Sequence, residues 1–252
     1  MKEFDGLVLE AEASPVGTWD FTWLDGRAVE ERPTWHYFQQ VAERAAGVST
    51  LLEVQAGSGT MMGTLPVLPS LSIVTEGFPS SVAAAAPRLA SRGAHLVVTS
   101  QSHRGLPFAT ASFDLVVSRH PVEVWWDEIA RVARSGGVYL AQHVGAYSLR
   151  TLSEFLMGSL PAGSRRNPEL EQRDAERAGL IVRRMEVERP RTAFFDVGAV
   201  VYFLRLVPWA VPDFSVAKYH DRLFALHEVI KRDGAFETTA SRTLVEAVKP
   251  AP

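Results

Sequence analysis

Short apolar runs alternate with amphipathic stretches through the middle of this chain. TLLEV (50–54), LSIVTE (71–76), AHLVVTS (94–100), SFDLVVS (112–118) and GVYLAQHV (137–144) have the length and continuity of strands buried on both faces. Residues 60–66, Pro79–Ser91 and Val122–Ala133 separate them as helices. This alternation predicts an α/β fold, doubly wound around a mostly parallel sheet. Further on, Leu149–Leu160 and Pro168–Ala178 read as helices flanking the loop AGSRRNP, in which Arg165-Arg166 reads as a solvated basic pair. LIVRRMEVER (180–189) and SRTLVEAVK (241–249) read as two strands forming an antiparallel edge pair. Between them two helices, about 196–206 and 216–232, are joined across Pro208 and Pro212, with Asp213 and Ser215 as helix-start residues. They are expected to cover the ligand-binding edge. The whole reads as one domain: an N-terminal arm and helix to residue 48, a core over 49–146, and a C-terminal part with a helical cover insertion at about 190–235.

Residues 1–33 are punctuated by Pro15, Gly17, Asp25-Gly26 and Pro33. Trp19, Phe21, Trp23 and Trp35 either staple this arm to the core or line a substrate pocket. Thr34 is positioned to cap a helix running to about Ala46. The opening MKEFDGLVLEAEA is acidic and lacks a long apolar run, so no secretory leader is expected, and a cytoplasmic location is the default. Val197–Val211 is broken by Arg205 and Pro208 and falls short of the ~20 residues a spanning helix needs. A hydrophobic content of 46% and a formal net charge of −3 fit a core-forming chain whose partner is a small molecule, not nucleic acid or membrane. A homodimer is compatible with this composition. The sequence has no cysteine, which removes disulfides, zinc–thiolate sites and cysteine nucleophiles.

The chemistry concentrates at Glu53-Val54-Gln55-Ala56-Gly57-Ser58-Gly59-Thr60, a glycine-rich turn between a strand and a helix. Glycines allow a sharp turn and close approach of the backbone to a nucleotide. Glu76, followed by Gly77, ends the next strand, where a carboxylate can accept from both ribose hydroxyls of a nucleoside. A structural tight turn with a surface glutamate is the plainer alternative. A dinucleotide can be fitted to Gly57, Gly59 and Gly63, but no Tyr-x-x-x-Lys pair is present to donate a proton in nicotinamide chemistry. S-adenosylmethionine (SAM) has no phosphate and matches the acidic and glycine positions better.

The turn resembles motif I of class I SAM-dependent methyltransferases, in which an acidic residue precedes alternating glycines. LPFATASFDLVVSRH (106–120) and EIARVARSGGVYLAQHVG (128–145) resemble the same family's fourth-strand segment and its helix, turn and fifth strand, in the type 11-like subgroup acting on small molecules or lipids. The resemblance covers about residues 48–146. It implies a Rossmann-like, seven-stranded sheet with an antiparallel edge strand, SAM as cofactor, and methyl transfer to O, N or C of a small metabolite. It places Glu53 near the ammonium group, Gly57 and Gly59 at the methionine moiety, Glu76 at the ribose, and Ser100, Gln101, Ser102 or Leu106 at the adenine.

Gln55 stands where the family has its first glycine. Either its side chain turns aside or bonds the ligand, or cofactor binding is weakened and the fold serves as a non-methylating enzyme or binding subunit. His120 and His143 follow the fourth strand and end the fifth, the edge where open α/β sheets bind ligands, and either is a candidate proton acceptor. Arg119 is a candidate for an acidic group on the ligand. Trp125, Trp126, Tyr202, Trp209 and Tyr219 are candidate pocket walls. His220 and His227 lie seven apart, not at the i, i+4 spacing of shared metal ligands, and no metal is expected.

Overall fold

The computed structural model describes residues 3–17, 21–100, 105–161 and 166–251. In chain order, the first elements are α1 (Phe4–Ala13), β1 (Ala28–Glu30), α2 (Tyr37–Ala45), β2 (Thr50–Glu53), α3 (Thr60–Thr64), β3 (Leu71–Glu76), α4 (Pro79–Ala90) and β4 (His95–Val98). There follow β5 (Phe113–Arg119), α5 (Trp126–Val132), β6 (Ala133–Val144), α6 (Arg150–Met157), α7 (Pro168–Arg177) and β7 (Ile181–Glu188). The chain closes with β8 (Arg191–Phe194), α8 (Val197–Leu206), α9 (Val216–Asp233), β9 (Phe236–Thr239) and β10 (Arg242–Val248). These elements fall into two compact units, each with its own core. No helix among the described residues is long and apolar enough to cross a membrane.

The larger unit spans Pro33–Ala146, Ser164–Glu188 and Arg242–Pro252. Its seven-stranded sheet runs β4-β3-β2-β5-β6-β10-β7. The first five strands pair in parallel, and β10 lies antiparallel to both β6 and β7. The sheet is therefore mostly parallel, with antiparallel pairing at one edge, as the sequence predicts. In β5 every residue from Phe113 to Ser118 is buried, because helices cover both faces. α2 buries Tyr37, Val41 and Ala45, one residue per turn.

Thr34 does not cap α2. Its hydroxyl donates to Glu188, and the helix starts at Tyr37 after His36 takes the left-handed region. The helix expected from Val122 begins only at Trp126, leaving 122–125 as a loop that bears on the site.

The smaller unit spans Met1–Arg32, Tyr147–Gly163 and Arg189–Ser241. It holds a second sheet, β1-β8-β9, antiparallel throughout, which the sequence pattern does not announce. α8 buries eight of its residues, Val197 to Tyr202 with Leu204 and Leu206, so it is apolar all round and central. Asp196 caps it at Ala199 N–H and forms a two-pronged pair with Arg27, Nε–Oδ2 2.8 Å and Nη2–Oδ1 2.8 Å. Trp23 stacks on Tyr202 at 4.5 Å under the Arg27 guanidinium, so this aromatic belongs to the packing of the arm on α8. Trp19 lies outside the described residues. Ser215 caps α9 at Lys218 N–H, as expected, while Asp213 pairs with Lys218 Nζ. His220 and His227 both pack on the ring of Phe4.

At Gly198 helix α8 approaches α1 closely. A Cβ there would lie 2.7 Å from the Leu7 carbonyl and 2.8 Å from Arg27. Backbone cannot yield as a side chain can, so Gly198→Ala should cost about 1–3 kcal/mol of stability through overpacking. Urea denaturation would show this as a lower midpoint; an unchanged midpoint would mean that α1 steps back freely.

Candidate functional site

The strand order reverses direction between β2 and β5, making this the topological switch point of the larger sheet. Open α/β sheets bind ligands in the crevice beyond the strand ends at such a point. The glycine turn leaves β2 there. Ala56 N–H donates to the Thr75 carbonyl, tying the turn to β3. Gly57 (φ 60°) and Gly59 (φ 66°) both occupy the left-handed region. A Cβ on Gly59 would press on Ala85 and Leu89 of α4, whereas a Cβ on Gly57 would meet open space. Gly59 therefore serves helix packing, and Gly57 faces room for a ligand.

Two carboxylates flank the turn and differ sharply. Glu76 Oε2 accepts from Gly57 N–H at 2.6 Å, and Oε1 accepts from Gly77 N–H at 2.6 Å and Phe78 N–H at 2.8 Å. A carboxylate has about four acceptor sites, so one remains, on Oε2. The geometry thus leaves Glu76 able to take a further hydroxyl hydrogen on that oxygen. Glu53 is 1% exposed, and its Oε2 has no hydrogen-bond partner. Burial pushes its carboxyl up to about 8, against the pull of the Met62 N–H and the Arg119 charge, with nearby Glu76 adding to the rise. A buried carboxyl oxygen without a partner is an exception among buried polar groups and marks this residue for a functional reading.

Gln55 also sits in the left-handed region, at φ 57°, where the family's glycine would be unstrained. Its side chain turns toward the loop after β5. Oε1 accepts from Val122 N–H at 2.8 Å and Glu123 N–H at 3.4 Å, and Nε2 donates to the Glu123 carbonyl at 2.8 Å. Arg166 grips the same loop from the other side, donating to the carbonyls of Pro121 (2.5 Å) and Val122 (2.8 Å). Arg166 is therefore not the solvated residue its sequence context suggests. Arg165 and Ser102 lie outside the described residues, as do Gln101 and His103.

Both histidines are fastened by neighbours. Trp35 Nε1–H can only donate, so Gln142 turns its Oε1 toward it (2.8 Å) and its Nε2 toward His120 Nε2 (2.9 Å). His120 must then accept at Nε2 and carry its proton on Nδ1. Burial, with the charges of Arg242 and Arg119 and with His143 nearby, holds it well below the ordinary histidine value, so the ring is neutral. His143 is wholly buried, with Nδ1 2.9 Å from Glu171 Oε2 and Nε2 3.0 Å from the Tyr139 hydroxyl. Burial pushes the Tyr139 phenol far up, so it stays protonated. Glu171 in turn pairs with Arg166 at 3.0 Å. In the neutral His120 ring the single lone pair is already taken by the Gln142 amide.

The structure thus brings Glu53, Gln55, Gly57, Gly59, Glu76, Gly77, Arg119, His120 and His143 into one unit. Arg119, at the exposed end of β5, acts on Glu53 through its charge. Leu106 belongs to the apolar cluster with Phe113 and Ile129. Trp126 packs edge-on against Tyr139 beside His143, Tyr219 stacks on Phe214, and Trp209 is exposed. Gln142, Glu171 and Arg166 carry much of the site's geometry without a local sequence signal. A separate cavity of ≈410 Å³ lies in the smaller unit, with Arg150, Glu154, Arg189 and Thr239 in its lining, and no residue of the glycine turn takes part in it.

The sheet order and the glycine turn define a Rossmann-like α/β fold of the kind seen in methyltransferases. Residues 52–141 match the family model described as a methyltransferase domain, in line with the resemblance read from the sequence. A comparison with curated proteins finds no match. Among solved structures, the chain is similar to YcgJ from Bacillus subtilis, with TM-score 0.60 and 15% identity over 86% of this chain and 100% of that one. It is similar to the [4+2]-cyclase SpnF, with TM-score 0.55 and 16% identity over 98% of this chain and 93% of that one. It is also similar to a geranyl diphosphate methyltransferase in complex with SAM, with TM-score 0.50 and 13% identity over 84% of each chain. At these identities the likeness establishes the fold.

Proposed function

We propose that the chain is a SAM-dependent methyltransferase acting on O, N or C of a small metabolite. The observation that carries this reading is the buried Glu53 Oε2 without a hydrogen-bond partner at the end of β2, directly before the switch-point turn whose Gly57 faces open space. SAM, when bound, supplies a sulfonium methyl group for in-line displacement. Glu53 would face its ammonium group, and a cation there would draw the carboxyl back to its ionised form. Gly57 lets the backbone approach, and the free acceptor site of Glu76 takes a ribose hydroxyl. His120 spends its lone pair on Gln142, and His143 is wholly buried, so neither is presented to a substrate proton. Rate would then come from positioning and exclusion of water, which suits an acceptor atom that needs no strong base.

Calorimetric titration with SAM and S-adenosylhomocysteine tests this. Binding to the wild-type protein is expected, and Glu76→Ala should weaken it roughly 10- to 100-fold, the worth of a charge-assisted hydrogen bond plus a loosened turn. Unchanged affinity would remove the ribose role of Glu76. A second reading, a fold serving chemistry other than methyl transfer, is supported by Gln55 in the glycine position and by the likeness to the [4+2]-cyclase. It expects the folded protein to bind no SAM.

A further inference from the structure

The Gln55 side chain crosses from the end of β2 to the loop after β5, and so spans the switch-point crevice. Its carboxamide satisfies three backbone groups there: two N–H groups, at Val122 and Glu123, converge on its oxygen, and the Glu123 carbonyl takes its N–H. Two donors and one acceptor are what a carboxylate beside an ammonium would use. To make these bonds, a non-glycine residue is held in the left-handed region. The loop does not depend on Gln55 alone, because Arg166 holds the carbonyls of Pro121 and Val122 and is itself anchored by buried Glu171. Gln55 can therefore let go without releasing the loop.

We propose that Gln55 is an internal occupant of this crevice, holding backbone groups that the carboxylate and ammonium of an amino-acid moiety would take. It thereby sets affinity for ligands that carry such a moiety. This rests on the SAM reading, since SAM joins a nucleoside to an amino acid. Competition of this kind costs the ligand the free energy of displacing the strap, and only for the part of the ligand that meets it.

The test compares wild type, Gln55→Gly and Gln55→Asn by calorimetric titration with two probes. One is SAM. The other is 5′-methylthioadenosine, which keeps the nucleoside and lacks the amino acid. Asparagine tolerates the left-handed conformation but is one carbon shorter, so it keeps the turn and loses the reach. Both variants should bind SAM tenfold or more tightly than wild type, with affinity for methylthioadenosine unchanged. Their Val122 and Glu123 amides should exchange hydrogen faster in the ligand-free protein. SAM affinity that is unchanged or weaker in both variants overturns the proposal while leaving the SAM reading intact, and so does an equal gain for both probes. If neither probe binds any of the three proteins, the SAM reading falls and the strap falls with it.

Discussion

Glu53→Gln should stabilise the protein at pH 8 and change it little at pH 5. The Glu53 carboxyl is raised from 4.5 to about 8 by burial, so in the folded chain it stays protonated until pH 8, whereas in the unfolded chain it ionises near 4.5. Between these values the unfolded state binds fewer protons, and stability falls as pH rises. The full interval corresponds to about 5 kcal/mol above pH 8 and about 3 kcal/mol at pH 7. Glutamine has no proton to lose, so the variant should escape this decline. Urea denaturation of both proteins at pH 5, 7 and 8 would show curves that diverge with pH. Parallel curves would mean that Glu53 ionises normally and is hydrated. The substitution should also cost ligand affinity, because a carboxyl kept at such expense has a use only when a cation joins it. Sites that trade stability for function behave in this way.

Glu171→Ala should do the opposite, lowering stability by about 3–5 kcal/mol at pH 7, the usual cost of stripping one partner from a buried ion pair. Glu171 is 3% exposed and lies between His143 and Arg166. Burial pushes its carboxyl up, but the hydrogen bonds and charges of His143 and Arg166 outweigh that and hold it below the ordinary value. A depressed carboxyl stabilises the fold above its unfolded pKa, and that contribution disappears as pH falls through the folded value. The gap between wild type and variant should therefore be widest near neutrality and narrow below pH 4. A difference under about 1 kcal/mol at pH 7 would show that water replaces the carboxylate without loss. Arg166 would lose its anchor in this variant, so the Pro121–Glu123 loop should be the first segment to loosen.

These two glutamates also mark where the sequence stops being informative. The strand, glycine turn, helix and strand from Thr50 to Glu76 are legible because their signals are local: continuous apolar runs, left-handed glycines and an acid at a strand end. The β5–α5–β6 segment is legible for the same reason, and β7 and β10 are legible as late strands of similar length that pair with each other. The three-stranded sheet is not legible. β1, β8 and β9 are three or four residues long and mix charged and apolar side chains, and β1 pairs with a strand more than a hundred residues further along the chain. No period can establish itself in so short a window.

The identity of Gln55 was visible as a departure from glycine, but the direction of its side chain was not, because that depends on a loop 67 residues away. Arg166 looks like half of a basic pair until the fold sets it against Glu171 and the Pro121 carbonyl, 45 residues back along the chain. The sequence by itself determined the sheet, the turn at its switch point and the acids beside it, because backbone geometry and apolar burial are encoded within a few consecutive residues. The tertiary structure alone decided which carboxyl is satisfied, which is left without a partner and protonated, and which histidine nitrogens are taken. Hydrogen bonding and desolvation depend on neighbours that the chain brings together only when it folds.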